Sequence, residues 1–315
     1  NKEGKVLIKP ENGELYEFDN GVARAYVGEK VNEDTGEESN GAYCLINEKG
    51  ERITEPVFAM IWNFSEGLAK VEVASKDNKY DRKCGFINAK GEVIVQPIYD
   101  VADDFSDGMA AVGYRYDTHD YKYGYVNAQG EEVIKPQYNR TEKFRKGRAV
   151  VVKGRQGSVH MIDLGPDNRI LNHENLPKCA LINKKGEFIL GFDWGQLSPI
   201  ENDLYIASRA KFYGTGVINL KGETVIPFTY TNLKYAGNNL FTADDGKHAA
   251  ESTVIDINNN ILLKTKKYQM PTAKYQFGLI NVRTGRLSKS GFIDTKGNLV
   301  ISDKYDMIWD FEPTN

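Results

Sequence analysis

No apolar run in this chain approaches the roughly 18 residues needed to span a bilayer, and the opening residues, NKEGKV, lack the pattern of a signal peptide. Membrane insertion is therefore not expected, although the chain would suit the mature part of an exported protein. Cysteine is scarce. Cys44, Cys84 and Cys179 are too few, and odd in number, for a disulfide framework, and no CxxC pair is present. They read as small buried apolar residues. The 4 histidines, His119, His160, His173 and His248, fall in or near variable segments with no second ligand type at fixed spacing. Neither a metal site nor a cofactor is expected. Net charge is only −3 at a pI near 6.0, which gives no long-range attraction to nucleic acid or anionic lipid. Motifs of nucleophilic, zinc-dependent or phosphate-binding catalysis are missing. Asp100, Asp103, Asp104 and Asp107 lack the alternate-residue pattern of a calcium loop, and the equivalent place one repeat on reads Asn139, Glu142, Lys143, Lys146. A solvated turn is the expectation there.

The chain is rich in glycine (30) and in aromatics: 18 tyrosines, 14 phenylalanines and 3 tryptophans. Glycine at turns and aromatics in short strands are what an all-β repeat uses. A repeat is present. Residues 84–114 (CGFINAKGEVIVQPIYDVADDFSDGMAAVGY) align without a gap on 123–153 (YGYVNAQGEEVIKPQYNRTEKFRKGRAVVVK), and 41–73 fall into the same frame. Eight divergent copies of about 38 residues follow, at 1–40, 41–81, 82–121, 122–177, 178–213, 214–250, 251–288 and 289–315, forming a single tandem-repeat domain.

The most constant column is Asn or Asp closing the first strand, A: Asn1, Asn47, Asn88, Asn127, Asn183, Asn219, Asp256 and Asp294. Three residues later stands Gly4, Gly50, Gly91, Gly130, Gly186, Gly222 or Gly297, with Asn259 as the exception. An Asx side chain accepts from a backbone N–H two residues on, and glycine takes φ > 0 where the turn rejoins the next strand. N-x-x-G is thus a hairpin turn between strands A and B. Proline then appears at Pro10, Pro56, Pro97, Pro136 and Pro227, where it is expected to end pairing. One aromatic column follows (Phe58, Tyr99, Tyr138, Trp194, Tyr230, Tyr305) and then a second, Phe18, Phe64, Phe105, Phe144 and Phe311, read as core. After a further glycine comes strand C, matched in the degenerate seventh copy to FGLINV, 277–282.

Each unit therefore reads as a three-stranded antiparallel meander. Two architectures suit it: an open β-solenoid or superhelical stack, and, as the alternative, a β-propeller. Three strands fall short of a four-stranded blade, so the open stack is the expectation. Insertions collect between C and the next A, where anchor spacing varies from 36 to 56 residues. In two of these loops the sequence invites a partner. Tyr114, Arg115, Tyr116, Tyr121 and Lys122 flank DTHD, and the long loop at 153–178 carries Arg155, His160, Arg169 and His173. Tyrosine beside arginine is enriched at interface hot spots.

Phrases such as KYGYVNAQGEEVIKPQY (122–138), NFSEGLAKV (63–71) and DFSDGMAAV (104–112) resemble the WG, or KWG, repeats of bacterial proteins. The Trp-Gly that names them reads here as Cys84-Gly85, Tyr123-Gly124, Thr215-Gly216 and Ser290-Gly291. The resemblance implies a bacterial protein with no assigned catalysis, exported to the periplasm or cell surface, the cytoplasm being the other option. Divergent copies with unlike loops point to a non-catalytic scaffold that binds a protein partner in an envelope or surface assembly. A glycan- or cell-wall-binding module using aromatic side chains is the alternative, and a glycoside hydrolase-like enzyme the second.

Overall fold

The computed structural model describes residues 13–28, 30–31, 38–39, 41–75, 81–117, 120–154, 177–209, 214–244, 251–270, 275–284 and 289–305. The regular elements among them are strands, apart from a single 3-10 turn at Glu201–Asp203. Among the described residues no helix is long and apolar enough to cross a membrane. Two compact units form: residues 1–152 with 182–187, and residues 153–181 with 188–315.

In the first unit, Met60–Ser65, Leu68–Ala74, Arg82–Asn88 and Val93–Tyr99 pair in that order as one antiparallel sheet. Val101–Ala102, Met109–Asp117, Asp120–Asn127 and Glu132–Tyr138 form the next. The second unit repeats the pattern with Asn232–Gly237, Leu240–Asp244, Ser252–Asp256 and Ile261–Thr265. Phe188–Pro199 is a 12-residue strand that runs from strand B straight into the edge strand preceding C.

This corrects the sequence reading. The unit has four strands, because a short strand precedes C and pairs with it through a tight turn. Glu66-Gly67 and Asp107-Gly108 each have φ > 0 at both residues, the backbone of a two-residue hairpin. The C-to-A insertion lies inside a sheet, as its central hairpin, and the chain changes sheet after Val93–Tyr99, Glu132–Tyr138 and Thr224–Tyr230, though not within Phe188–Pro199. Discrete four-stranded meanders are blades, not the coils of an open solenoid. Of FGLINV, residues 279–282 fall in the C strand, Leu279–Thr284, while Phe277 and Gly278 form the positive-φ turn before it.

Proline does not end strand B. Pro97, Pro136 and Pro227 lie within Val93–Tyr99, Glu132–Tyr138 and Thr224–Tyr230. The A–B ladder shifts register there and resumes at Cys84↔Tyr99, Tyr123↔Tyr138 and Thr215↔Tyr230. In these three copies strand B is at the sheet edge, so the missing N–H costs no ladder bond. The partner of the bulge is the glycine of the Trp-Gly pair. A Cβ on Gly85 would lie 2.5 Å from the Val95 carbonyl oxygen, and one on Gly216 the same distance from that of Ile226. Thr253 occupies this column in the seventh copy, and there the ladder runs Ser252↔Thr265, Thr253↔Lys264, Val254↔Leu263 without a shift. The neighbouring Trp column packs: Cys84 and Ser290 are buried in it, and the Cys84 thiol is pushed up to about 11 by desolvation.

The Asx turns form as expected. Gly50, Gly91, Gly130, Gly186, Gly222 and Gly297 all have φ between 78° and 85°. Asn88 Oδ1 accepts from the N–H of Lys90 (2.9 Å) and of Glu92 (3.0 Å), and its Nδ2 donates to Glu92 Oε2 (2.6 Å). Asn47, Asn127, Asn183 and Asn219 make the same set with Glu51, Glu131, Glu187 and Glu223. Asp294 exchanges the roles: Asn298 Nδ2 donates to its carboxylate at 2.9 Å. Donor and acceptor swap while the bond survives, a covariation visible in the sequence but missed there. The turns at Gly91, Gly130, Gly186, Gly222 and Gly297 also lie against the segment after the Asx turn of the preceding copy, on Ile53 and Thr54, Ile94, Ile134, Leu190 and Leu263 respectively.

A second seam joins copies through the tight turns. Ser65 Oγ donates to the Phe105 carbonyl (2.7 Å) and Ser106 Oγ to that of Phe144 (2.8 Å). Glu66 accepts from the N–H groups of Asp107 (2.6 Å) and Gly108 (2.7 Å), while Asp107 accepts from Gly147 and from Lys184 Nζ (2.9 Å). The Gly147 N–H and then the Lys184 ammonium hold the Asp107 carboxyl below its ordinary value. A depressed folded pKa gives stability that is present above the unfolded value, about 3.9, and lost as pH falls through the folded one. Asp107→Asn should thus lower the melting temperature near neutral pH, and the gap to the parent should close as pH falls through the depressed folded pKa. A gap independent of pH would remove the carboxylate from this role.

Candidate functional site

The hairpin of the third sheet begins as core and ends as surface. In Met109–Asp117 the first five residues are buried and the last four exposed. Ala110, Ala111 and Val112 are covered on both faces, whereas the ribbon beyond Gly113 reaches past its neighbour, Val101–Ala102, which pairs only with Val112 and Gly113. The ribbon continues with Tyr114↔Lys122, Arg115↔Tyr121 and Asp117↔Asp120, bulged between Arg115 and Asp117. Directly paired residues share a face. Tyr114 and Lys122 therefore occupy one face, and Arg115 with Tyr121 the other.

The base of the ribbon is anchored electrostatically. Asp100 Oδ2 accepts from the backbone N–H of Arg115 at 2.7 Å, and its other oxygen pairs with Lys83 Nζ at 2.5 Å. Burial works against this carboxylate, but these hydrogen bonds prevail and hold it below the usual carboxylate range. Arg115 Nη2 donates to the Tyr121 hydroxyl at 3.2 Å. The Tyr114 ring packs on Tyr99 at 5.1 Å, and desolvation pushes its hydroxyl pKa up. Tyr116 is 74% exposed, with Lys122 Nζ at 5.7 Å from its ring. A groove of about 340 Å³ lies here, lined by Tyr114, Arg115, Tyr116, Lys122, Pro136 and Gln137. Pro136 is the residue in the strand-B bulge, so the irregularity that Gly124 permits also supplies a wall of the groove.

The structure thus brings together Tyr114, Arg115, Tyr116, Tyr121 and Lys122. Arg155, His160, Arg169 and His173 lie outside the described residues, as do His119 and His248. Asp100, Lys83, Pro136 and Gln137 were missed in the sequence, because only the strand pairing brings them to the hairpin. Three members of the acidic run have partners of their own: Asp100 with Lys83, Asp104 with Lys143 at 3.3 Å, and Asp107 as described. Cys44, Cys84 and Cys179 are buried thiols, and those of Cys84 and Cys179 donate to the carbonyls of Asp100 and Gly195. The second aromatic column divides: Phe105 and Phe144 are buried, Phe64 is half-buried, and Phe18 is 41% exposed.

The repeat model described as WG containing repeat matches residues 1–30, 43–80, 85–114, 123–155, 216–242 and 291–312. The chain belongs to the WG-containing repeat family. No curated protein matches it in sequence. Among solved structures, this WG-repeat chain is similar to the β-propeller domain of the Trilobed protease from Pyrococcus furiosus (8% identity, 92% of this chain and 95% of that chain, TM-score 0.36). It is also similar to KlHsv2 with its loop 6CD replaced by a Gly-Ser linker (10% identity, 89% and 92%, TM-score 0.36). A third is prolyl oligopeptidase B from Galerina marginata (9% identity, 91% and 49%, TM-score 0.37). It is the four-stranded sheets that overturn the open stack expected from the sequence in favour of the propeller alternative. The copies at 178–213 and 251–288 are those the repeat model leaves unmatched, and they carry Ala180 and Thr253 in the glycine column.

Proposed function

We propose that this WG-repeat chain is a non-catalytic scaffold whose 114–122 hairpin receives a protein partner. The observation that carries the reading is the exposure of Tyr114 and Tyr116 beyond the core, on a ribbon anchored by Asp100 and edged by Arg115 and Lys122. Tyrosine supplies contact area with few rotatable bonds, so little side-chain entropy is lost on binding. Cations beside an apolar groove favour a partner segment that presents carboxylates next to apolar side chains. An exported setting, periplasm or cell surface, belongs to the same proposal and rests on the family.

The test is capture from a bacterial envelope extract. A protein retained by the parent and lost by the Tyr116→Ser, Lys122→Ser double variant, with the melting temperature unchanged, is the expected result. Because Tyr116 is exposed and Lys122 is no more than half-buried, the double variant should fold as the parent does. Equal capture by both proteins would end the proposal.

A further inference from the structure

In unit one, a pocket that the hairpin does not use lies between the segment 16–24 and the strand Met60–Ser65. Its walls include Tyr16, Phe18 and Trp62, with Asp19, Arg24 and Asn63 among its polar lining, and its volume is about 540 Å³. That is within the usual range of small-molecule sites. Strand pairing assembles it: Tyr16 N–H donates to the Arg24 carbonyl (3.0 Å), Asp19 closes a tight turn onto Val22, and Arg24 Nη1 reaches the Ile61 carbonyl (2.7 Å) beside Trp62. The geometry points to a saccharide as the ligand, an inference independent of the partner-binding reading.

The chemistry narrows by elimination. An anion would need an available cation, but the Arg24 guanidinium is bonded to the Ile61 carbonyl and lies 4.6 Å over the Tyr16 ring. Glu17 and Asp19 add negative charge to the lining. A cationic ligand would meet the positive charges of Arg24 and Lys70, which already lie 4.6 Å and 4.2 Å from the Tyr16 and Trp62 rings. What remains suits a neutral polyhydroxylated ring. The outer aromatic faces, with Phe18 exposed, pack against its C–H bonds, and the Asp19 carboxylate and Asn63 amide bond its hydroxyls. Phenylalanine at position 18 becomes intelligible on this reading, since its counterparts Phe105 and Phe144 are core.

The full chain should be titrated with maltotriose, cellotriose and tri-N-acetylchitotriose, following tryptophan fluorescence and binding heat. At least one sugar should bind saturably at millimolar concentration. Trp62→Ala and Asp19→Ala should each weaken it about tenfold or more. Phe18→Ala, at an exposed position, should do the same without change in melting temperature, which covers the case of a misfolded Trp62 variant. The Tyr116→Ser, Lys122→Ser protein should bind the sugar as the parent does, so that failure here and failure of partner capture are told apart. No saturable binding of any of the three sugars, or parental affinity in the Phe18 and Asp19 variants, would overturn the assignment.

Discussion

Gly124→Ala should lower the stability of the WG-repeat chain by about 2–3 kcal/mol, the range of an overpacked backbone contact. The added methyl would stand 2.1 Å from the Ile134 carbonyl oxygen and 2.6 Å from the Pro136 nitrogen. Both are backbone atoms in a hydrogen-bonded sheet, so relief requires strand B to move, and the groove wall at Pro136 moves with it. The control is Gly147→Ala. Gly147 has φ +76 with nothing within 4 Å of its virtual Cβ. Only the left-handed backbone is penalised there, by about 1 kcal/mol. Urea unfolding of the two variants separates a steric requirement from a conformational one. If both shift equally, glycine in the Trp-Gly pair is a matter of backbone angle, and the crossing of strands A and B is not what demands it.

Phe144→Ala should cost about 3–4 kcal/mol, the usual range for emptying an aromatic site in a core. Phe144 is fully buried, its ring edge-on to Tyr125 at 4.7 Å, and the Tyr125 hydroxyl donates to the Glu142 carbonyl at 2.6 Å. Losing the ring leaves a void beside a buried tyrosine whose hydrogen bond resists collapse into it. Phe18→Ala, in the same column but exposed, should cost less than about 1 kcal/mol. Thermal unfolding of the pair tests whether equivalent positions in different copies have taken different work. Similar losses at both would make Phe18 a core residue and weaken its place in the sugar pocket.

Much of this architecture was legible in the sequence because it is local. An Asn side chain reaches an N–H two residues away, and a glycine at φ > 0 needs only its own backbone. N-x-x-G therefore located the A–B turns whatever the surroundings. The hairpin at 114–122 was legible for the same reason: Tyr114, Tyr116, Tyr121 and Lys122 are close in the chain, although the bulge between Arg115 and Asp117 takes Tyr116 out of simple alternation. The seam of Glu66, Asp107 and Gly147 was not. Its partners are about one repeat apart, and nothing in either local sequence names the other.

By itself, then, the sequence determined an all-β chain of divergent copies, the place of each Asx turn, and the tyrosine-rich hairpin at 114–122. Only the tertiary structure decided that the copies share strands across their boundaries in four-stranded sheets, that Pro97 and Pro136 lie within strand B, and that Phe18 is surface while Phe144 is core. The physical reason is range. Turn chemistry acts over a few bonds, whereas sheet membership, bulges and burial depend on which distant strand arrives alongside, and a two-residue edge strand such as Val101–Ala102 carries too little periodicity to announce itself.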